Sequence, residues 1–347
     1  MEYGMKAKIY APILITTLNR YKHLKKVIEG LKCCSEAVES DLYISVDFPP
    51  SLKYEDGYNK ICEYLKKGID GFKSVTIIYQ KKNLGALDNS MFIEKIVQDK
   101  GYDFYILLED DMVPMPAFLD YMNKCYEMFK DEDKVVGIGG WETLIRDTGE
   151  YNAVYTHFGA CLGLFAKRRK DIINAYSNYE YFERILRDGK IRKRVADYRK
   201  DAYWKFVVVT LGLDDKLKLR DGGMSPIDYV SDTIFIVEDM YSIFPIKSLI
   251  RNTGLDGSGV HAGIVDEVPG DYYKDEQIEV KVLSREKSRE IEYRVNNSRN
   301  YDKKMYIRCK ILVLLYLLFG RKFTKRINDG IEKIHLVKMR IKEKVGC

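Results

Sequence analysis

Phe104-Tyr105-Ile106-Leu107-Leu108-Glu109-Asp110-Asp111 decides how the rest of the chain is read. Five apolar residues in a row have the length of a buried strand, and the three acids that follow place carboxylates at its end. Carboxylates crowded at a sheet edge repel one another, so a cation is expected beside them. Mg²⁺ or Mn²⁺ suits the position, because both prefer oxygen ligands and often take only one or two from protein while phosphate oxygens supply others. Such an ion would neutralise a leaving diphosphate. The plainer alternative is an acidic cluster that favours the dipole of a helix starting near Pro116.

Outward from this stretch, residues 9–15, 42–46, 75–79 and 135–138 are further apolar runs of strand length. Helix-period segments lie between them. Leu24, Val27, Ile28 and Leu31 recur at helical spacing, as do Phe118, Met122, Cys125 and Phe129. Pro116 stands where the first residue of that second helix is expected. The alternation predicts an α/β fold with a mostly parallel central sheet, Rossmann-like, and helices on both faces. Ligands in such sheets bind beyond the carboxyl ends of the strands. The residues to inspect are therefore Thr16, Thr17, Asn19 and Arg20 after the first strand, Asp47 after the second, Lys81, Lys82, Asn83 and Gly85 after the third, and the three acids after the fourth. No GxGxxG and no GxxxxGK[ST] occurs, which removes the dinucleotide fingerprint and the P-loop.

Further along, residues 156–166 read as a strand rich in small residues, and residues 170–222 as charged helices. Residues 249–263 carry Gly254, Gly257, Gly259 and Gly263 and read as a loop or lid. A catalytic domain over residues 1–270 and a basic, mainly helical extension over 271–347 are expected. Residues 301–347 hold 13 Lys or Arg against 4 Asp or Glu, so the net +6 of the chain sits in its tail. That distribution argues against a nucleic-acid-binding domain. The apolar run 311–319 is under half the roughly 20 residues needed to span a bilayer. With its basic flanks it would either lie on an anionic membrane surface or pack on the main body. Seven cysteines without regular spacing oppose a disulfide framework or a zinc ribbon, and a cytoplasmic location, peripheral to the membrane at most, is the simpler expectation. The 27 tyrosines suit wet clefts that hold polyhydroxylated ligands, and equally a wet surface.

Taken singly, Asp47 is either a nucleobase or ribose acceptor or a turn-forming aspartate. Lys81, Lys82 and Asn83 either contact phosphates or are solvated. Residues 16–20 either contact a nucleotide or cap the following helix. In sequence order, Pro12 with residues 13–20, Ser45-Val46-Asp47, Asn83-Leu84-Gly85, and Leu108-Glu109-Asp110-Asp111 with Pro114 and Phe118 resemble inverting GT-A glycosyltransferases. The chain is similar both to bacterial family-2-like enzymes and to the animal N-acetylglucosaminyltransferase I group, whose acidic motif also reads Glu-Asp-Asp; the likeness covers residues 8–265.

The resemblance implies a nucleotide-sugar donor, a glycan or lipid-linked glycan acceptor, Asp111 as direct metal ligand, Glu109 and Asp110 near ribose and sugar, and Asp47 reading a base, usually uracil. Inverting transfer also needs a carboxylate to take the proton of the attacking hydroxyl. Asp228 stands 17 residues before Pro245, and in related enzymes an aspartate at about that distance precedes a proline that opens a strand. Ile227 and Ser231 stand where many relatives carry tryptophan, and Asp232 is the second candidate. His261 resembles the late histidine that completes a metal shell or closes over the diphosphate in some of these enzymes, or else caps a glycine-rich turn. Two rivals are a sugar-phosphate nucleotidyltransferase, which would need a glycine-rich basic loop after the first strand where residues 16–20 have no glycine, and a catalytically silent glycan-binding protein.

Overall fold

The computed structural model describes residues 10–143, 145–146, 148–176, 178–213, 227–257, 271–298 and 303–345, without the side chains of 227–229 and 332–345. His261 therefore lies outside the described residues. The chain forms two compact units, one of Met1–Thr156, Ala160–Arg169 and Tyr241–Arg289, the other of His157–Gly159, Lys170–Met240 and Glu290–Cys347. Along the chain, residues 241–289 belong to the first unit and residues 170–240 to the second.

The first unit is mixed α/β. Its strands are β1 (Ile13–Thr17), β2 (Asp41–Val46), β3 (Ser74–Tyr79), β4 (Phe104–Glu109), β5 (Met112–Pro114), β6 (Val135–Ile138), β7 (Ala153–Thr156), β8 (Gly163–Phe165), β9 (Tyr241–Pro245) and β10 (Ile250–Asn252). Eight of them form one sheet in the order β3-β2-β1-β4-β8-β6-β9-β7, and β10 pairs with β5 separately. All neighbours pair in parallel except β4–β8, β6–β8 and β7–β9, so only β7 and β8 run against the others and the sheet is mostly parallel, as in a Rossmann-like GT-A fold.

Strand residues alternate between two packed faces, because successive side chains of a strand point to opposite sides. Ile13, Ile15, Leu42, Ile44, Ile106 and Leu108 meet Leu24, Val27, Ile28 and Leu31 of α1 (Tyr21–Lys32), with Phe118, Met122, Cys125 and Phe129 of α4 (Phe118–Phe129) in the same core. Leu14, Tyr43 and Tyr105 meet Ile93 and Val97 of α3 (Ala86–Asp99) on the other side. Both helical periodicities thus mark core faces. Helix α2 (Glu55–Lys66) completes the first crossovers.

Three expectations change. Residues 156–166 are not one strand: β7 ends at Thr156 and β8 begins at Gly163, and the two occupy separate places in the sheet. Pro245 closes β9 instead of opening a strand. Pro116 precedes the N-cap of α4, Ala117, and is not in its first turn.

The second unit is helical. It contains most of α5 (Ala166–Tyr176), then α6 (Tyr179–Arg187), α7 (Gly189–Tyr198), α8 (Lys200–Leu211) and α9 (Ile227–Glu238), the end of α10 (Arg285–Ser298), and α11 (Lys303–Val345). Phe182, Ile185, Val195, Phe206 and Val207 are fully buried in it. Helix α11 breaks at Gly320, whose φ of 78° and ψ of 174° leave the helical region. The chain doubles back there, so that Arg308 reaches Asn328 at 2.7 Å.

Ile106 is fully buried on β4, between β1 and β8. Ile106→Ala should lower the free energy of unfolding by about 2–5 kcal/mol, because the flanking strands restrict collapse of the cavity. Urea denaturation reads this as a lower midpoint at unchanged slope. A loss below about 1 kcal/mol would contradict a packed core on this face.

Candidate functional site

The parallel register sets the rim. Thr16 faces Ser45 on β2 and Glu109 on β4, so β1, β2 and β4 end at one level. Beyond this level Thr17 Oγ1 donates to Asp110 Oδ2 at 2.7 Å, while the Asp47 backbone N–H donates to the Thr17 carbonyl at 2.8 Å. Thr17 therefore joins the acidic turn on one side to the Asp47 loop on the other.

Asp110 is 3% exposed and Asp111 8%. Two adjacent carboxylates so far from water need compensation. Arg20 provides it: one terminal nitrogen binds Asp110 Oδ1 and the other reaches Asp111 Oδ2 at 2.7 Å. Burial works against the charge on Arg20, but Asp110 and Asp111 outweigh it and hold the guanidinium above its ordinary pKa. Burial also pushes the Asp110 carboxyl up, while Arg20 and Thr17 pull it back. The arginine stays charged between the two acids. Asp111 Oδ1 makes no hydrogen bond among the described residues.

A second layer lies over the acidic turn. β10 runs antiparallel to β5, with Asn252 opposite Met112. The next residue, Thr253, donates its backbone N–H to the Asp111 carbonyl at 2.9 Å, and its hydroxyl to the same oxygen at 3.2 Å. Gly254 follows, and a Cβ there would sit 2.0 Å from Asp111 Oδ2. Only glycine permits this approach without moving the carboxylate. His23 Nε2, in the first turn of α1, contacts the Thr253 carbonyl at 3.0 Å and Asp256 Oδ2 at 3.1 Å. The beginning of the expected lid is thus a strand and turn fastened to the acids. Gly259 and Gly263 lie outside the described residues.

Asp47 is buried and fully occupied. Its Oδ1 accepts from the backbone N–H groups of Phe48 and Leu84, each at 2.8 Å. Its Oδ2 accepts from Gly85 N–H at 2.8 Å and Asn83 Nδ2 at 3.1 Å. These four donors match the roughly four lone-pair sites of a carboxylate. Asp47 therefore acts here as a clamp that fastens the loop after β3 to the end of β2. Ser45 Oγ, donating to Asn89 Oδ1 at 2.6 Å, anchors α3 behind the same loop.

The structure thus gathers Thr17, Arg20, Asp110 and Asp111 in one cluster, and Asp47, Asn83 and Gly85 in a neighbouring one. Thr16 and Asn19 are half-buried at the rim; Glu109, Lys81 and Lys82 are exposed. The acceptor-side candidates belong to the second unit. Asp228 lies in the first turn of α9, and its side chain is outside the described residues. Asp232, 1% exposed, pairs with Arg199 at 2.8 Å and accepts the Gly159 N–H at 2.6 Å. Beside it, His157 Nδ1 and Tyr198 Oη contact Glu292 Oε2 at 2.9 and 2.8 Å. His23, Thr253 and Gly254 join the site as well; of the three only Gly254 stands out in the sequence, as one of the glycines of the expected loop.

Among the described residues no group of three or more His, Cys, Asp or Glu could hold a metal ion. The Asp110–Asp111 pair nonetheless offers all-oxygen donors with one oxygen unclaimed, which fits a hard divalent ion that takes few protein ligands.

No family model matches the chain, and no curated protein matches it. Among solved structures, the crystal structure of S. aureus TarS is similar at a TM-score of 0.31 and 13% identity, over 47% of this chain and 29% of that chain. The chain thus spans under a third of that structure's length, and a likeness this slight supports no conclusion about fold or activity.

Asp47→Ala removes the acceptor of the Leu84 and Gly85 amides. By hydrogen exchange these two amides should exchange at least about tenfold faster, while Ile93 and Val97 in α3 keep their protection. Unchanged exchange at 84 and 85 would mean that the loop holds without the clamp.

Proposed function

We propose that the chain is a glycosyltransferase, moving a sugar from a UDP-sugar to a hydroxyl of a glycan or lipid-linked glycan with inversion at the transferred carbon. The observation that carries the reading is the gathering of Thr17, Arg20, Asp110 and Asp111 at the carboxyl ends of adjacent parallel strands, where open α/β sheets take their ligands. In this reading Asp111 would hold Mn²⁺ or Mg²⁺ through its unclaimed oxygen. Such an ion, when bound, would offset the charge that builds on the leaving diphosphate.

The chain's own groups account for the rest. Arg20 keeps its guanidinium charged at the rim, where its planar fork holds the two acids in position. Asp47 holds the 83–85 loop against the end of β2, which sets that wall of the donor site. In this reading Glu109, exposed at the end of β4, would lie near the ribose and sugar. In the transfer, the acceptor oxygen bonds to the anomeric carbon as the bond to the diphosphate oxygen breaks. The hydroxyl proton passes to a carboxylate. Asp228 is proposed for this step, with Asp232 the second candidate.

Calorimetry with UDP should show binding that strengthens by at least about tenfold on adding Mn²⁺, equivalent to 1.4 kcal/mol. Asp111→Asn should remove that enhancement and lower transfer by about 10²–10³-fold. Asp228→Asn should keep UDP binding and lose transfer. Binding and transfer indifferent to EDTA would remove the metal from the reading, and no UDP binding under either condition would remove the donor site itself.

A further inference from the structure

Helix α11 carries apolar side chains on two opposite sides. Cys309, Leu312, Val313 and Tyr316 are buried, within the second unit, where Tyr316 donates to Glu183 and the helix packs along α8. Ile307, Ile311, Leu314 and Leu318 are exposed, from 52% at Ile311 to 64% at Leu318. Their spacing of four, three and four residues lines them up on one strip, and a turn of about 100° per residue sets that strip roughly opposite the buried set. Phe319, just before the break at Gly320, is exposed as well, and beyond the break Phe323, Ile327 and Ile331 recur every fourth residue and are exposed.

The packing of the first arm is thus satisfied by one side, and the other leaves Ile307, Ile311, Leu314 and Leu318 in water, with Phe323, Ile327 and Ile331 exposed in a row of their own on the second arm. Single exposed apolar residues are ordinary; a contiguous strip of them marks a contact surface. Its borders identify the occupant. Lys303, Lys304 and Lys310 on the first arm, and Arg321, Lys322 and Arg326 on the second, are exposed beside it. Residues 303–331 hold eight Lys or Arg and one acid, Asp329. A second copy of this chain would bring the same excess of positive charge to the contact and be repelled. A bilayer with anionic headgroups offers opposite charge to the borders and the acyl boundary to the strip. Among the described residues no helix is long and apolar enough to cross a membrane, so the contact is one of lying on the surface.

We infer that the exposed apolar strip of α11, with its lysine and arginine borders, is a docking surface for an anionic lipid bilayer. It does not depend on which reaction the first unit performs.

Co-sedimentation of the full chain with vesicles of phosphatidylcholine, and of phosphatidylcholine mixed with phosphatidylglycerol, tests it. Binding to the mixed vesicles should exceed binding to neutral ones by at least about tenfold, and should weaken as salt screens the basic borders. Leu314→Ser with Leu318→Ser, both at exposed positions, should reduce partitioning by more than about tenfold. Lys310→Glu with Lys322→Glu, which leaves the strip intact, should reduce it by about fivefold or more per position. Equal binding to both vesicle types, or binding untouched by either double variant, would overturn the proposal. So would a dimer that dissociates on Leu314→Ser with Leu318→Ser while no vesicle binding is seen, because a second copy would then be what covers the strip.

Discussion

Two adjacent carboxylates, both nearly inaccessible to water, are tolerable only if positive charge is built in beside them. The pair Asp110–Asp111 meets this condition through Arg20, and much of the first unit follows from having to bring that arginine there. Arg20 arrives from the turn after β1, so β1 must lie next to β4 and run in the same direction. The in-register pairing of Thr16 with Glu109 then brings the Thr17 hydroxyl to the remaining Asp110 oxygen. Strand order, strand direction and the charge balance of the rim are in this sense one arrangement.

β1, β2 and β4 were open to reading because each is an apolar run with most residues buried on both faces, and α1 because Leu24, Val27, Ile28 and Leu31 repeat at helical spacing; β3, at the sheet edge, was legible from its β-branched run although it is only half-buried. The remainder was not. Residues 159–166 are small or apolar throughout, and β8 within them is buried at every residue, so no polar alternation marks its ends. Nothing local distinguishes one long strand from two short ones that enter the sheet at different places. β8 is only three residues long and sits between β4 and β6, a place fixed by long-range pairing. Pro245 misled for a related reason: a proline at either end of a strand leaves the ladder intact, and the sequence does not say which end it occupies.

At the rim, the identity of the polar residues was legible and their mutual engagement was not. Glu109, Asp110 and Asp111 follow an obvious strand, and charge repulsion alone demands a cation near them. The identity of that cation as Arg20 could not be read, because it depends on how the β1 turn is aimed. Asp47 was visible as a carboxylate at a strand end, but a sequence cannot show that three backbone amides and an asparagine would occupy it. Thr253 donates its backbone N–H and hydroxyl to a backbone carbonyl and Gly254 acts through a missing side chain, and neither target can be read from the residue names.

The antiparallel pairing of β10 with β5 has a consequence for how the molecule is made. A nascent chain emerges from its amino end, and the segments for β1 to β4 are available for pairing well before residues 250–254 exist. During that interval the central strands can form their core, and Arg20 can meet its acids, but the Asp111 carbonyl has not yet received Thr253, nor its carboxylate the close cover of Gly254. The rim is therefore completed late in synthesis by a segment some 140 residues downstream. A chain cut short before that segment would keep the strands that define the rim and lack its last wall.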